Sequence, residues 1–359
     1  MNRPAIVAPW DSCNATLDSP SSANGCESTS VSGRIIEAAP PRPAVTHLAV
    51  DASSDGQRLD NFLAKVAKGV PKAHLYRVIR SGEVRVNSAR AGADLRLKMG
   101  DSVRLPPLRV ARKVDDTPAP PREFPVVFED AHLLAVDKPA GVAVHGGSGV
   151  SFGVIEQLRQ ARAGSPFLEL VHRLDKDTSG LLLVAKTRKA LVALQEDLRS
   201  RDAERGIGKT YAALVTGAWP AKTKVIDVAL EKTLRADGTR HVRPVGAGDA
   251  AGKRSITLVR VAESLPGFTL LDVTLKTGRT HQIRVHLAQA GHPVAGDPTY
   301  GDFARNRELS RGPLRFHRMF LHAMALTFHH PATGEPIALA APIPDDCEVL
   351  LDALRRSDA

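Results

Sequence analysis

Nine consecutive residues, His172-Arg173-Leu174-Asp175-Lys176-Asp177-Thr178-Ser179-Gly180, carry two carboxylates, three cationic or titratable groups and two hydroxyls, and close on a glycine. An apolar run from Leu181 to Ala185 follows at once. Such polar density beside a buried-looking strand suits a loop that displays chemistry. A carboxylate among cations can act as a nucleophile, and Asp175 is the candidate. Taken alone, the segment reads equally well as a polar turn, with Asp175 in a salt bridge to Arg173 or Lys176 and Asp177 to Gly180 capping the turn.

Three further segments gather reactive residue types. Gly278 to Leu287 crowds Arg279, His281, Gln282, Arg284 and His286 together. On a helix His281, Arg284 and Leu287 or Ala288 share a face. His281 and His286 lie five apart with no carboxylate between them, whereas a zinc-protease helix needs histidines at i and i+4 around a glutamate, so no metal is expected. Tyr211, one of three tyrosines, follows Lys209-Thr210 at the start of a strand, where packing is its usual role. Lys138-Pro139 ends a strand and leads into a glycine-rich stretch up to Gly147. That stretch matches neither the phosphate-cradling loop nor the dinucleotide fingerprint, and reads as a plain loop.

Patterning predicts the elements that hold these residues. Asp55 or Gly56 caps a helix with Leu59, Phe62, Leu63 and Val66 on one face. A second helix turns Leu75, Val78 and Ile79 inward and ends at Ser81-Gly82. Val84 and Val86 alternate with Glu83, Arg85 and Asn87 in a half-exposed strand, and Asp101 to Pro106 reads as another. In the larger part of the chain, residues 132–139, 181–187, 210–217, 268–275 and 324–330 read as strands. Residues 153–162, 191–202 and 281–291 read as helices. Without regular βαβ alternation, the class is α+β with a mixed, largely antiparallel sheet, preceded by a small α/β module. The expected division is a disordered tail over 1–45, the module over 46–110, a proline-rich linker over 111–123 and a large domain over 124–353.

Charge narrows the partner. Of 359 residues, 49 are Lys or Arg and 39 Asp or Glu, a net charge of +10. Residues 57–113 hold 14 of the cations and 4 of the anions, so this module accounts for the whole excess. Lys72, Arg77 and Arg80 fall on or beside its second helix, with Arg85, Arg90, Arg96 and Lys98 on the strands after it. A solvated basic face is the ordinary fate of such a run. An imbalance this size favours a polyanion, and nucleic acid in particular. Aromatic residues make up only 4%, so reading of shape and phosphates is expected more than stacking. The three cysteines are scattered, no signal peptide is evident, and no apolar run approaches the ~20 residues of a membrane span. A cytoplasmic protein with no membrane partner is expected.

In order along the chain, DKPAGVAVH (137–145), VHRLDKDTSGLLLVAK (171–186), KTYAALVTG (209–217) and TGRTHQIRVHLA (277–288) resemble the four motif segments of the RluA-type pseudouridine synthases. The resemblance covers residues 124–350. The basic module is similar to the small RNA-binding module shared by a small-subunit ribosomal protein and several rRNA-modifying enzymes. The resemblance implies isomerisation of uridine within RNA, without a cofactor, acting on 23S ribosomal RNA or its large-subunit precursor; a monomer is expected. A tRNA-acting paralogue and a catalytically silent RNA-binding assembly factor are the alternatives. By motif position Asp175 is the nucleophile. Arg284 pairs with it and keeps it charged, and Tyr211 stacks on the target base. His172 and Arg173 help hold displaced RNA, and Arg279 contacts phosphate or buttresses the site. His281 and the module's Lys72, Arg77, Arg80 and Arg85 complete the expected RNA-binding set. Asp177 is expected to be a turn residue.

Overall fold

Apolar spacing in the basic module resolves into two helices laid on a small sheet. The computed structural model describes residues 45–67, 69–108, 118–147, 150–200, 206–234, 240–246 and 248–357. The expected tail up to residue 44 and the linker's residues 111–117 lie outside them. The module consists of β1 (Thr46–Ala49), α1 (Leu59–Val66), α2 (Lys72–Arg80), β2 (Arg85–Val86), β3 (Ala89–Arg90) and β4 (Ser102–Leu105). Its strands pair in the order β1-β4-β2-β3. Leu59, Phe62 and Leu63 of α1 and Leu75, Val78 and Ile79 of α2 close its core against Val84, Val86, Leu97 and Val103.

Two expectations for α1 need correction. The residue at its N-cap is Arg58, with no side-chain cap, and the Asp55 carboxylate accepts from the Met99 amide instead. Val66 stands outside the buried face, because the helix ends there before another turn can cover it.

The larger body comprises β5 (Val126–Glu129), β6 (Leu133–Lys138), α3 (Val154–Ala161), β7 (Glu169–Leu170), β8 (Ser179–Ala185), α4 (Arg188–Asp197), β9 (Gly208–Thr216), β10 (Val225–Asp227), β11 (Ala229–Leu234), β12 (Arg240–Val245), β13 (Ile256–Leu265), β14 (Phe268–Leu275), α5 (Gln282–Gln289), α6 (Phe303–Arg311), β15 (Leu321–His329), β16 (Pro336–Ala340) and α7 (Asp345–Arg356). Its ten-stranded sheet runs β10-β13-β14-β9-β15-β8-β6-β5, with β16 on β15 and β7 on β8. All its pairings are antiparallel except β8 with β15. The hairpin β11–β12 stands apart from it. The fold is α+β with a mixed, largely antiparallel sheet.

Burial on both faces explains why β8 reads as an unbroken apolar run. Leu182 and Val184 join the cluster built with α3 and α5, while Leu181, Leu183 and Ala185 join the one built with α4. Helix α4 begins earlier than the periodicity suggested, because the Thr187 hydroxyl accepts from the Ala190 amide and caps it.

The glycine that closes the motif loop is demanded by the parallel junction. Gly180 pairs with Ala323 and has φ +109°. A Cβ there would lie 2.4 Å from the Ala323 carbonyl oxygen. No other residue type enters β8 at this point without displacing β15.

Candidate active site

The loop from His172 to Ser179 is held in place from beneath. Lys138, at the end of β6, is fully buried, and its ammonium donates to three carbonyls: Pro139 at 2.8 Å, Val142 at 2.7 Å and Lys176 at 3.0 Å. Three acceptors match the three N–H groups of an ammonium. Burial nonetheless pushes its pKa down to about 7, against the pull of Asp177 and Asp175. The plain loop expected at 138–147 is therefore corrected: it folds around a lysine that fixes the backbone next to Asp175. At the other end, the Arg318 guanidinium donates to Ser179 Oγ at 2.6 Å, and Oγ lies 2.9 Å from His322 Nδ1. His322 Nε2 faces the Ala341 carbonyl and must donate to it, so Ser179 is the donor to Nδ1.

Asp175 stands at the top of this loop. Arg284, on the first turn of α5, reaches its Oδ2 with Nη1 at 3.4 Å. The expected pair is present, but it is the weaker half of the arrangement. Arg284 is bound in a fork to the buried Asp297, Nε to Oδ2 at 2.6 Å and Nη2 to Oδ1 at 2.8 Å. Asp297 Oδ1 also accepts from the amides of Thr299 and Tyr300. A buried ion pair is tolerable when its remaining hydrogen-bonding capacity is filled in this way. Burial raises the Asp297 pKa, but the bonds from Arg284 outweigh it and hold the carboxyl below its usual value.

His281 completes the surround of Asp175. It is not part of the helix body but its N-cap, with φ +53°. A bulky residue in that region is uncommon, and such strain gathers at functional sites. Its Nε2 lies 3.9 Å from Asp175 Oδ2, and its Nδ1 2.9 Å from Tyr300 Oη. The Val242 amide donates to the same Oη at 3.0 Å, and the Tyr300 hydroxyl can donate to His281 Nδ1 when the ring proton sits on Nε2. Burial lowers the His281 pKa against the pull of Asp175 and so favours the neutral ring; with Tyr300 as donor to Nδ1, the ring proton faces Asp175 from Nε2. Tyr300 also lies under Arg284, its ring 5.0 Å from the guanidinium carbon.

Tyr211 sits on β9 opposite Val273 and forms part of the wall below the loop. Burial, and the charge of Asp175 nearby, raise its pKa well above the usual phenol value, so it stays protonated. Asp175, Tyr211 and the pair His281 and Arg284 thus converge from three segments. Arg173 is exposed, close enough for its charge to oppose protonation of His281.

His172 needs correction. Its ring turns inward, and Nε2 accepts from the Leu183 amide at 3.1 Å. Burial, with the charge of Lys209 nearby, pushes its pKa down to about 3. A neutral ring used up on a backbone donor cannot serve as a cation for phosphate. Arg279 is exposed beside this cluster. His286 is buried beneath α5, between Thr257 and the Val228 carbonyl. Among the described residues, no group of three or more His, Cys, Asp or Glu is placed to hold a metal ion, and no helix is long and apolar enough to cross a membrane.

Lys72, Arg77, Arg80 and Arg85 are all exposed on the small module. Arg77 meets His74, Arg80 the Tyr76 carbonyl and Arg85 two carbonyls, while the ion pair among the module's described residues joins Arg58 to Asp60. These four cations therefore remain available to an anionic ligand.

Sequence reasoning missed Lys138, Asp297 and Tyr300. The last two share the stretch Gly296-Asp297-Pro298-Thr299-Tyr300-Gly301, a polar turn between glycines holding one of only three tyrosines.

Residues 132–289 match the RNA pseudouridylate synthase family, and residues 57–103 match the S4 domain. The chain is 46% identical over 321 residues to the ribosomal large subunit pseudouridine synthase C of Escherichia coli O157:H7, which covers 88% of this chain and 98% of that relative. It is 45% identical over 319 residues to the protein of the same name from Pasteurella multocida strain Pm70, covering 87% and 94%. Among solved structures it resembles human RNA pseudouridylate synthase domain containing 4, with a TM-score of 0.51 and 25% identity over 64% of this chain and 93% of that one. Since this likeness takes in nearly the full length of the bacterial relatives and spans every segment that meets at Asp175, the chain belongs to the RNA pseudouridylate synthase family.

Proposed function

We propose that this RNA pseudouridine synthase acts on large-subunit (23S) ribosomal RNA or its precursor, with Asp175 as nucleophile. The near-complete coverage of relatives named for the ribosomal large subunit carries the substrate reading. The exposed cations of the 46–110 module agree with it, since they suit a folded polyanion. We assign RNA binding to that module and chemistry to the domain at 124–353, in the cytoplasm where ribosomal RNA is processed.

A uridine inside an RNA stack must leave it before its base can turn, at a cost of a few kcal/mol. Arg173 and Arg279 are available at the mouth of the site to hold displaced phosphates and offset that cost. Asp175, oriented by Arg284 and the Nε2–H of His281, assists cleavage of the N1–C1′ bond. The freed uracil turns against the Tyr211 ring, and C5 bonds to C1′. N1 gains a proton and C5 loses its hydrogen to solvent, so atoms balance without an external reactant. Attack at C1′, attack at C6 and a glycal route all use a charged aspartate at this place.

Mapping pseudouridines in the rRNA and tRNA of a deletion strain tests the substrate. Loss of specific sites in 23S rRNA, restored by the wild-type gene, is expected. Unchanged rRNA with sites lost from tRNA would overturn the assignment.

A further inference from the structure

One helix of the catalytic body is scarcely covered: within α6 only the half-buried Leu309 packs on a core cluster. None of the nine residues of α6 is buried, although a helix in a globular body normally turns an apolar stripe inward. It is nevertheless firmly fixed. Asp302 caps it, its carboxylate accepting from the amides of Ala304 and Arg305. Asn306 ties it to the turn that carries Asp297: Oδ1 accepts from the Gly296 amide at 2.8 Å, and Nδ2 donates to the Asp297 carbonyl at 2.9 Å. An exposed helix is thus held rigidly against the residue that anchors Arg284.

Its outward side has two features that solvation alone does not require. Residues 302–318 contain five arginines and two carboxylates. Arg305 is spent on Glu308, whereas Arg307, Arg311 and Arg315 have no carboxylate partner among the described residues. Phe303 is 59% exposed, while every other phenylalanine is buried or half-buried. A groove of about 540 Å³ passes along the helix, lined by Phe303, Arg307, Ser310 and His317. Through Gly296, Pro298 and His317 it continues into a cavity of about 770 Å³ that reaches Lys138, Asp177 and Ser179 at the back of the motif loop.

We propose that α6 and its groove bind a single-stranded stretch of the substrate RNA flanking the target uridine, with one base stacked on Phe303 and phosphates held by Arg307, Arg311 and Arg315. Stacking on an aromatic ring tolerates any base, and arginines without acid partners suit the backbone beside it. Flipping a nucleotide also requires a grip on the strand next to it, a role separate from the module's hold on the folded RNA. The proposal rests on RNA being the substrate, as argued above.

The test uses the full-length protein and two variants, Phe303→Ala and Arg307→Gln/Arg311→Gln/Arg315→Gln. All four side chains are exposed, so the fold should persist. Tritium release by the wild type from 5-³H-uridine rRNA, measured first, reports on the substrate reading separately. Binding is then measured against salt for an rRNA fragment with its single-stranded flank and for the same fragment trimmed of it. Phe303→Ala should weaken binding of the flanked RNA about tenfold, the scale of one base–aromatic stack. The triple variant should weaken it and lower the salt slope by about two. Neither should differ from wild type on the trimmed RNA, and kcat at saturating RNA should stay within about twofold. Wild-type affinity and slope in either variant, or a fall in kcat at unchanged affinity, would overturn the proposal.

Discussion

Arg284 is committed to Asp297 by two bonds of 2.6 and 2.8 Å and offers Asp175 only its remaining nitrogen, at 3.4 Å. The guanidinium beside the reactive carboxylate is therefore oriented by a second carboxylate behind it. Asp297→Ala strands a buried cation and should cost about 3–5 kcal/mol of stability as well as most of the activity. Asp175→Ala leaves the fork intact and should change stability by less than about 1 kcal/mol. Urea unfolding of both variants measures the contrast, and equal losses would contradict it. The Asp297 pKa is lower folded than unfolded, so its stabilisation is present above the unfolded value of about 3.9 and disappears as pH falls through the folded value. Asp297→Asn should flatten that acid limb.

The Tyr300 hydroxyl, 2.9 Å from His281 Nδ1, is placed to set the ring's tautomer by donating to it. Without its hydroxyl, Nδ1 is free to take the proton and Nε2 can turn a lone pair toward Asp175. Tyr300→Phe should lower kcat about tenfold, the scale of one hydrogen bond, with RNA affinity unchanged. The ¹⁵N shifts of the His281 ring should show the Nε2–H form in wild type and a mixture in the variant. Loss of RNA affinity with kcat intact would return His281 to the RNA-binding role expected from the sequence.

Lys138 gives the protein an alkaline signature. Its folded pKa is about 7, whereas an unfolded lysine titrates near 10.4. Between those values the unfolded chain keeps a proton that the native state has released, so stability rises with pH across that window. A neutral amine has two hydrogens for three carbonyls, so the same deprotonation loosens the grip on Lys176. Lys138→Met should remove this alkaline rise in the unfolding midpoint and lower kcat more than it changes KM. A midpoint that still rises by the wild-type amount would exclude Lys138 as its source.

Strands β6, β8, β9, β14 and β15 were legible from their apolar patterning, and β6 and β8, buried on both faces, read as apolar runs whatever lies around them; the other strands of the body were not read from the sequence. The motif loop was legible as chemistry because Asp175 and its neighbours are close in sequence. Asp297 was not, since its pairing with Arg284 depends on where a turn folds back, and an aspartate before a proline resembles any turn residue. His172 misled because its type and spacing do not reveal which way the ring turns; the Leu183 amide decides that. Lys138 passed for loop punctuation because a buried ammonium and an exposed one have the same letter. The cap of α1 was misplaced for a similar reason, since Asp55 had the right chemistry but was claimed by Met99.

If Asp175 performs the chemistry while other groups hold the RNA, the two functions separate in a single variant. Tritium release from 5-³H-uridine 23S rRNA by Asp175→Asn, alongside RNA binding by the same variant, tests it most directly. Release should fall by at least about a thousandfold, as for loss of a nucleophile, with binding retained. Release at the wild-type rate would contradict it.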